Sequence, residues 1–146
     1  MQITRYTDYS LRVLIYLGLR DGEQVTIQEI ADAYQISKNH LMKIVQELNI
    51  QGYVLAVRGK HGGLKLNKPA QDINVGQLVR LMEKDTKLVE CFSSKNECVI
   101  TPHCQLKRIF SEALESFYQA LESYTLADLL GTQYSTGLRE LLSIDV

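Results

Sequence analysis

The feature that most limits the possible folds is a succession of two short amphipathic helices, a tight turn and a glycine-rich hairpin within residues 26–66. Thr26 stands at a helix-capping position before apolar residues at helical spacing, and a second apolar stripe follows Ser37. Two helices joined by so short a turn form a helix-turn-helix, whose second helix enters the major groove in DNA-binding proteins. The alternative is an ordinary helical hairpin with a solvated face.

A β-hairpin is predicted directly after the second helix. Residues 53–57 are rich in β-branched and aromatic side chains, and residues 64–66 alternate apolar and basic ones. Between them lies the cationic tip Arg58-Gly59-Lys60-His61-Gly62-Gly63. A hairpin in this position is the wing of a winged helix-turn-helix, which weighs against the plain helical hairpin. A nucleotide-phosphate loop is disfavoured, because the tip lacks the required spacing and no helix follows it.

The charge distribution favours a nucleic-acid partner. The chain has a net charge of -1, yet residues 36–68 contain six lysines and arginines against one glutamate, and the part from residue 71 onward is acidic. A basic face on an acidic body is expected for a DNA-binding protein, although an unevenly charged surface would give the same numbers. We expect DNA contacts from the first turns of the second helix and from the wing, namely Lys38, Asn39, His40, Lys43, Arg58, Lys60, His61, Gly62 and Gly63.

Cys91, Cys98 and Cys104 are the only cysteines, and they lie within one short polar stretch. An odd number excludes a fully paired disulfide framework, and gathered thiolates usually hold a metal ion or a cluster. The spacing C-x6-C-x5-C lacks the close pairs of common structural zinc sites, which favours an iron–sulfur cluster over zinc. Either group normally needs a fourth ligand from elsewhere in the protein.

The fold class predicted is mostly α with a small β-wing. Residues 1–69 form the winged helix-turn-helix, residues 70–131 the cysteine segment and dimerisation helices, and residues 132–146 a loose tail. A long helix is predicted over residues 102–123, beginning at a threonine cap. Its apolar stripe is too extensive to stand alone, so we expect it to pair with a second copy of the chain, although a core helix in a monomer is the alternative.

The location expected for this chain is the cytoplasm. Residues 1–9 are polar, Arg12 interrupts the apolar run that follows, and no stretch is long enough to span a membrane. Free clustered thiols without a secretion signal favour a reducing compartment. We find no serine–histidine–acid order and no paired carboxylates that would indicate an enzyme.

The opening Thr7-Asp8-Tyr9, the helix-turn-helix, the wing and the cysteine segment before a long helix together resemble the dimeric winged-helix iron–sulfur transcription regulators. Residues 100–107 and 124–129 are most similar to the branch of that family that senses nitric oxide. The resemblance covers nearly the whole chain and weakens after Gly131. It implies that Cys91, Cys98 and Cys104 bind the cluster.

The resemblance also bears on the fourth ligand. One branch of the family uses a histidine three residues after its last cysteine, but here that position is Lys107, which cannot serve. In the nitric-oxide-sensing branch, a carboxylate near the N-terminus of the partner subunit completes a four-iron cluster. Asp8 stands at the matching position, with Arg12 one helical turn further on in support. This favours a four-iron over a two-iron cluster; His103 is a rival ligand, and Asp8 has an alternative role as a helix cap.

The function implied by the resemblance is that of a homodimeric repressor. It would bind an inverted-repeat DNA operator and release it when nitric oxide reacts with the cluster. One alternative is a sensor of iron or cluster status with the same fold. Another is a zinc- or cluster-stabilised interaction module with no role on DNA, against which the basic wing weighs.

Overall fold

The computed structural model describes residues 1–145 and is mostly helical, with one two-stranded antiparallel sheet. This confirms the predicted fold class. The elements are α1 (Arg5–Leu19), α2 (Ile27–Tyr34), α3 (Lys38–Ile50), β1 (Val54–Val57), β2 (Gly63–Leu66), α4 (Val75–Met82), α5 (Leu106–Glu122), α6 (Leu126–Leu129) and α7 (Thr132–Leu141). None of the helices within residues 1–145 has the length and apolarity that crossing a bilayer requires.

The first three helices begin and end through local side-chain and backbone chemistry. The hydroxyl of Thr4 accepts a hydrogen bond from the Thr7 amide at 3.3 Å and caps α1, so the cap role considered for Asp8 is wrong. Thr26 caps α2 in the same way, as predicted. Gln35 adopts the left-handed conformation, with φ of 56°, and makes the tight turn into α3.

The main core lies where α1 packs against α2 and α3. The apolar stripes predicted for these helices face inward, and burial of each such side chain contributes about 1.5–3 kcal/mol to folding. Residues that are fully buried here include Leu14, Leu17, Ile30, Leu41, Ile44 and Leu48. The same core also includes Leu126 from α6, so it extends beyond the first 69 residues.

The wing is joined to the helix-turn-helix by backbone hydrogen bonds. β1 pairs with β2 in a register that places Val54 opposite Leu66. Val25, just before α2, forms an isolated antiparallel bridge with Leu64 of β2, and the two reciprocal N–H···O bonds measure 2.9 and 2.7 Å. Both residues are buried. The edge of the wing is therefore fixed to the start of α2.

Helices α4 and α5 pack closely in the C-terminal half. A Cβ atom added to Gly76 would overlap the backbone of Glu122 on α5. Arg80 of α4 pairs with Glu122 and with Glu115, the latter through Nη1 at 2.9 Å, and its guanidinium lies 4.6 Å from the Tyr118 ring centroid. Tyr118 is the residue of α5 that is buried, while much of the apolar stripe of this helix is exposed.

The long helix predicted over residues 102–123 starts later than expected. A short 3₁₀ turn covers Thr101–His103, Cys104 is extended, and α5 begins at Leu106. The threonine does not cap the helix, because the Thr101 hydroxyl donates instead to the carbonyl of Cys98 at 2.8 Å. Local side-chain bonds of this kind compete with helix formation.

The loose tail predicted for residues 132–146 is wrong for its described part. Residues Thr132–Leu141 form α7, and Leu142 and Ile144 beyond it are buried in the main core. The sequence analysis missed both this helix and the two apolar residues that follow it. Only Val146 of the predicted tail lies outside the described residues.

Candidate DNA interface and cysteine site

Helix α3 and the wing line a common groove, of about 1000 Å³, on one side of the molecule. Of the residues predicted to contact DNA, those that line it are Lys38, Asn39, Lys43, Arg58, Gly62 and Gly63. Lys60 and His61 are exposed at the wing tip but do not line the groove. His40 is half-buried, and its ring packs edge-on against Tyr9 of α1 with 5.1 Å between ring centroids.

The glycines of the wing tip are required by its backbone. Gly59 has φ of 106°, a conformation that side-chain-bearing residues rarely adopt. A Cβ atom on Gly62 would overlap the carbonyl of Val57, and the Gly62 amide donates to the Gly59 carbonyl at 3.0 Å. The tight tip leaves Arg58 exposed beside the groove, where it can reach a phosphate.

Sequence reasoning missed part of the groove. Its lining also includes Gln28 of α2 and three residues of α3, Met42, Gln46 and Asn49. The signal was available, because Asn39, Met42 and Gln46 repeat at the three-to-four-residue spacing of one helix face. Glutamine and asparagine are side chains that read adenine in the major groove.

The structure brings Cys91, Cys98 and Cys104 together around one pocket of about 180 Å³. Cys91 lies in the 3₁₀ turn Glu90–Phe92, and Cys104 follows a second 3₁₀ turn. All three thiols are free, and the rest of the pocket lining consists of the apolar Val89, Ile100 and Leu106 and the polar Glu90, Thr101 and Lys107. The backbone N–H of Leu106 donates to the Sγ atom of Cys104 at 3.4 Å.

Hydrogen bonds within the cysteine segment, residues 84–105, hold the cysteines in place. The Glu97 amide donates to the Glu90 carboxylate at 2.9 Å, and the Asn96 side-chain amide donates to the Thr101 hydroxyl at 2.8 Å. The Cys98 amide donates to the Asn96 side-chain oxygen at 3.1 Å. Next to Cys98, Val99 is 90% exposed although it is apolar. Hydrogen bonds among its own residues thus order the segment, while an apolar side chain such as Val99 remains exposed on its surface.

The donor set fits a cluster better than a single metal ion. Within residues 1–145, no three histidine, cysteine, aspartate or glutamate side chains converge on a point suited to one ion. A four-iron cluster takes each protein thiolate on a different iron atom, so the thiolates would not have to converge on one point. Three free thiols around one small apolar pocket meet that requirement.

The proposed fourth ligands do not line the cysteine pocket of their own chain. His103 is exposed on the adjacent turn, whereas Lys107 does line the pocket. Asp8 instead accepts two hydrogen bonds from Arg12, from Nη2 at 2.7 Å and from Nε at 3.2 Å. Arg12 also lies over the rings of Tyr9 and Tyr34, at 5.2 and 5.9 Å from their centroids. Successive side-chain contacts, from Asp8 to Arg12, from Arg12 to Tyr9 and from Tyr9 to His40, therefore connect Asp8 to α3.

Together, the groove and the cysteine pocket define a winged-helix DNA-binding protein with a thiol-rich site next to its DNA-binding module. Comparison with known proteins gives the family. The model of the Rrf2 family, described as an iron-dependent transcriptional regulator, matches residues 3–132. The chain belongs to the Rrf2 family, as the resemblance implied.

Named relatives support the NsrR type within this family. The HTH-type transcriptional regulator NsrR of Bacillus licheniformis is 48% identical over 98% of this chain and 100% of the relative. The protein of the same name from Bacillus subtilis is 51% identical over 89% of this chain and 90% of its own. Such proteins are regulators, which confirms the expectation that the chain is not an enzyme.

Solved structures agree on the fold. The global cysteine regulator CymR of B. subtilis superposes with a TM-score of 0.69 at 26% identity, covering 88% of this chain and 95% of CymR. IscR of T. potens gives a TM-score of 0.70 at 25% identity, covering 89% of this chain and 86% of IscR.

Proposed function

We propose that this chain is a homodimeric transcription repressor that binds an inverted-repeat operator and releases it when nitric oxide reacts with an iron–sulfur cluster. The observation that carries the proposal is the pocket lined by Cys91, Cys98 and Cys104, in a chain whose predicted recognition helix and wing line one groove. Residues 1–69 supply the DNA-binding part, and residues 70–131 the cluster and dimer part.

Operator binding is assigned to α3 and the wing. Lys38, Asn39 and Lys43 on the first turns of α3 enter the major groove, while Arg58 at the wing meets the backbone. Lys60 and His61 extend the contact from the tip. In a dimer with twofold symmetry, two such modules read half-sites about one helical turn apart, which makes the operator an inverted repeat.

The cluster is held by the three thiolates and by Asp8 from a second copy of the chain. A carboxylate is a harder and more weakly held donor to iron than a thiolate. When bound, the cluster would supply iron atoms with which nitric oxide reacts, and we propose the four-iron form that the family resemblance favours. An Asp8 that is not bound to iron has a partner ready in Arg12, which donates two hydrogen bonds to it.

Two observations support the homodimer. Leu106 and Ile109 on α5 are about half exposed, and they belong to the apolar stripe predicted to pair with a second copy. Asp8 lies outside the cysteine pocket of its own chain, so the Asp8 ligand proposed here would have to come from a second copy of the chain.

The deciding experiment is an operator gel shift with protein purified without air. We expect about stoichiometric iron and acid-labile sulfide, tight binding of the loaded protein, and release on addition of nitric oxide. Asp8→Ala should lower iron retention, whereas Asp72→Ala, on an exposed turn, should not. Equal operator binding by loaded, cluster-free and nitric-oxide-treated protein would refute the proposal.

A sensor of iron or cluster status is the second candidate, because the matching family is described as iron-dependent. It uses the same residues, but loss of the cluster rather than nitric oxide is its signal. Release of the operator by an iron chelator at a concentration that strips the protein, without response to nitric oxide, would favour this candidate.

The DNA contacts have a separate test. Lys43→Gln should weaken operator and non-operator binding alike and lower the salt dependence of binding by about one counterion. Lys95→Gln is the matched control, since Lys95 is also an exposed lysine but lies in the cysteine segment, away from the groove.

A further inference from the structure

The start of the cysteine segment contacts the recognition helix of its own chain. Lys84, the second residue after α4, forms an ion pair with Glu47 of α3, with 3.1 Å between Nζ and Oε1. Lys84 and Cys104 also line one open pocket of about 680 Å³. Lys84 thus faces the same pocket as Cys104 and also contacts the predicted recognition helix.

The preceding residue makes a second connection, to the helix that carries Asp8. The carboxylate of Glu83 accepts two hydrogen bonds from Thr4, from its amide at 2.8 Å and from its hydroxyl at 2.9 Å. Thr4 is the N-cap of α1. The adjacent residues Glu83 and Lys84 thus join the cysteine segment to α1 and to α3 at the same place.

The environment of Glu47 favours its charged form. Hydrogen bonds from Gln51 and from Lys84 hold the pKa of Glu47 below its usual range. The Glu47 side chain is only 20% exposed, whereas that of Lys84 is 62% exposed. A partly covered carboxylate on α3 is consequently left without its cation when Lys84 moves away, which gives the contact a stronger effect on α3 than a fully exposed pair would have.

We propose that Glu47 and Lys84 are positioning residues that couple the state of the cysteine segment to the placement of α3 within one chain. The inference deepens the proposed function and rests on it. It differs from the contact through Asp8, which requires a second copy of the chain. Lys84 holds the C-terminal part of α3 against the start of the cysteine segment, and the strength of this contact differs between the loaded and the cluster-free protein.

The experiment is a double-mutant cycle with Glu47→Gln, Lys84→Met and both together. The measured quantity is the ratio of operator affinities of the loaded and cluster-free proteins. We expect each single variant to reduce this ratio by about two- to fivefold, the range that a partly exposed ion pair can supply. The double variant should lose no more than either single variant, and the exchanged pair Glu47→Lys with Lys84→Glu should regain part of the loss.

A second measurement does not need the cluster. In the cluster-free protein, amide hydrogen exchange of residues 38–50 should be faster in Lys84→Met than in the wild type, and the exchanged pair should slow it again. The iron and sulfide content of all variants should stay at the wild-type level, because neither residue lines the cysteine pocket.

The matched control is the pair formed by Arg20 and Glu23. It has a similar N–O distance, 3.0 Å, and similar exposure, 23% and 68%, but it lies at the end of α1 and touches no residue of the cysteine segment. Glu23→Gln should leave the affinity ratio unchanged.

The inference and the proposed function fail in different ways. A wild-type affinity ratio near one contradicts the proposed function, and the exchange measurement then still decides whether Lys84 restrains α3. A wild-type ratio that persists in both single variants, or that falls equally in Glu23→Gln, overturns the coupling role of Glu47 and Lys84.

Discussion

The winged helix-turn-helix and the cysteine segment, residues 84–105, are ordered by different means. The first has a continuous apolar core, in which residues such as Leu14 and Leu48 are fully buried. The second, all of which the structure describes, contains no buried residue and relies on hydrogen bonds among its own polar groups. Apolar packing therefore holds the winged module, whereas polar contacts hold the cysteine segment.

The largest effect is expected from a substitution in the cysteine segment, which has no apolar core. Cys98→Ser removes one of the three thiolates, and we expect loss of nearly all bound iron and sulfide, because serine is a poor iron ligand. The thermal unfolding of the cluster-free protein should not change. An altered unfolding temperature in the absence of iron would mean that the cysteine segment contributes to the apolar core, and the contrast between the two regions would break down.

In the winged module, Leu48→Ala should lower the free energy of unfolding by about 2–5 kcal/mol, because it leaves a cavity in a fully buried site. Urea unfolding of the cluster-free protein measures this. Ile50→Ala in the same helix, at a side chain that is 67% exposed, is the control and should change stability by about 0.5 kcal/mol or less. Comparable losses in both variants would contradict the placement of the core.

A substitution at the packing of α4 against α5 should have an intermediate effect. Gly76→Ala should destabilise the protein by about 1–3 kcal/mol, since the new methyl group overlaps the Glu122 backbone and the helices must separate. Gly137→Ala in α7 is the control, because an added Cβ there meets no atom within 4 Å. Chemical unfolding of the two variants, followed by circular dichroism, provides the comparison.

The smallest effect concerns pH. Burial raises the pKa of Tyr34 to about 12 from a usual value of 10.0, so the unfolded chain ionises first. The stability that this tyrosine contributes is present below pH 10 and is lost as the pH rises toward 12. Tyr34→Phe should flatten that decline and, at neutral pH, cost about 1 kcal/mol for the lost hydrogen bond to the Arg12 carbonyl.

Tyr34→Phe should not alter iron retention by the cysteine segment. An unchanged slope of stability between pH 10 and pH 12 in Tyr34→Phe would show that another buried group governs the alkaline decline.

Much of the winged module was predictable because its signals are local. The Thr26 cap, the buried stripe of α3 and the hairpin each depend on residues close together in the sequence. The groove lining was recovered only in part, because attention to charge passed over neutral residues such as Gln46. His40 was assigned to DNA for its position in the sequence, while its ring packs on Tyr9.

The C-terminal half was harder because its structure depends on distant contacts. Leu142 and Ile144 are buried against a core formed mainly by residues of the first half of the chain, and no local pattern predicts that. Thr101 looked like a helix cap, but its hydroxyl bonds to Cys98. The ion pair between Glu47 and Lys84 joins two surface charges that have no special spacing in sequence.

The bridge between Val25 and Leu64 limits the movements by which the winged module could release DNA. With both residues buried and two backbone hydrogen bonds between them, the hairpin cannot swing outward on its own. The hairpin and the recognition helix therefore keep a fixed position relative to each other. In the homodimer proposed above, release of the operator would therefore require a change in the distance between the two winged modules.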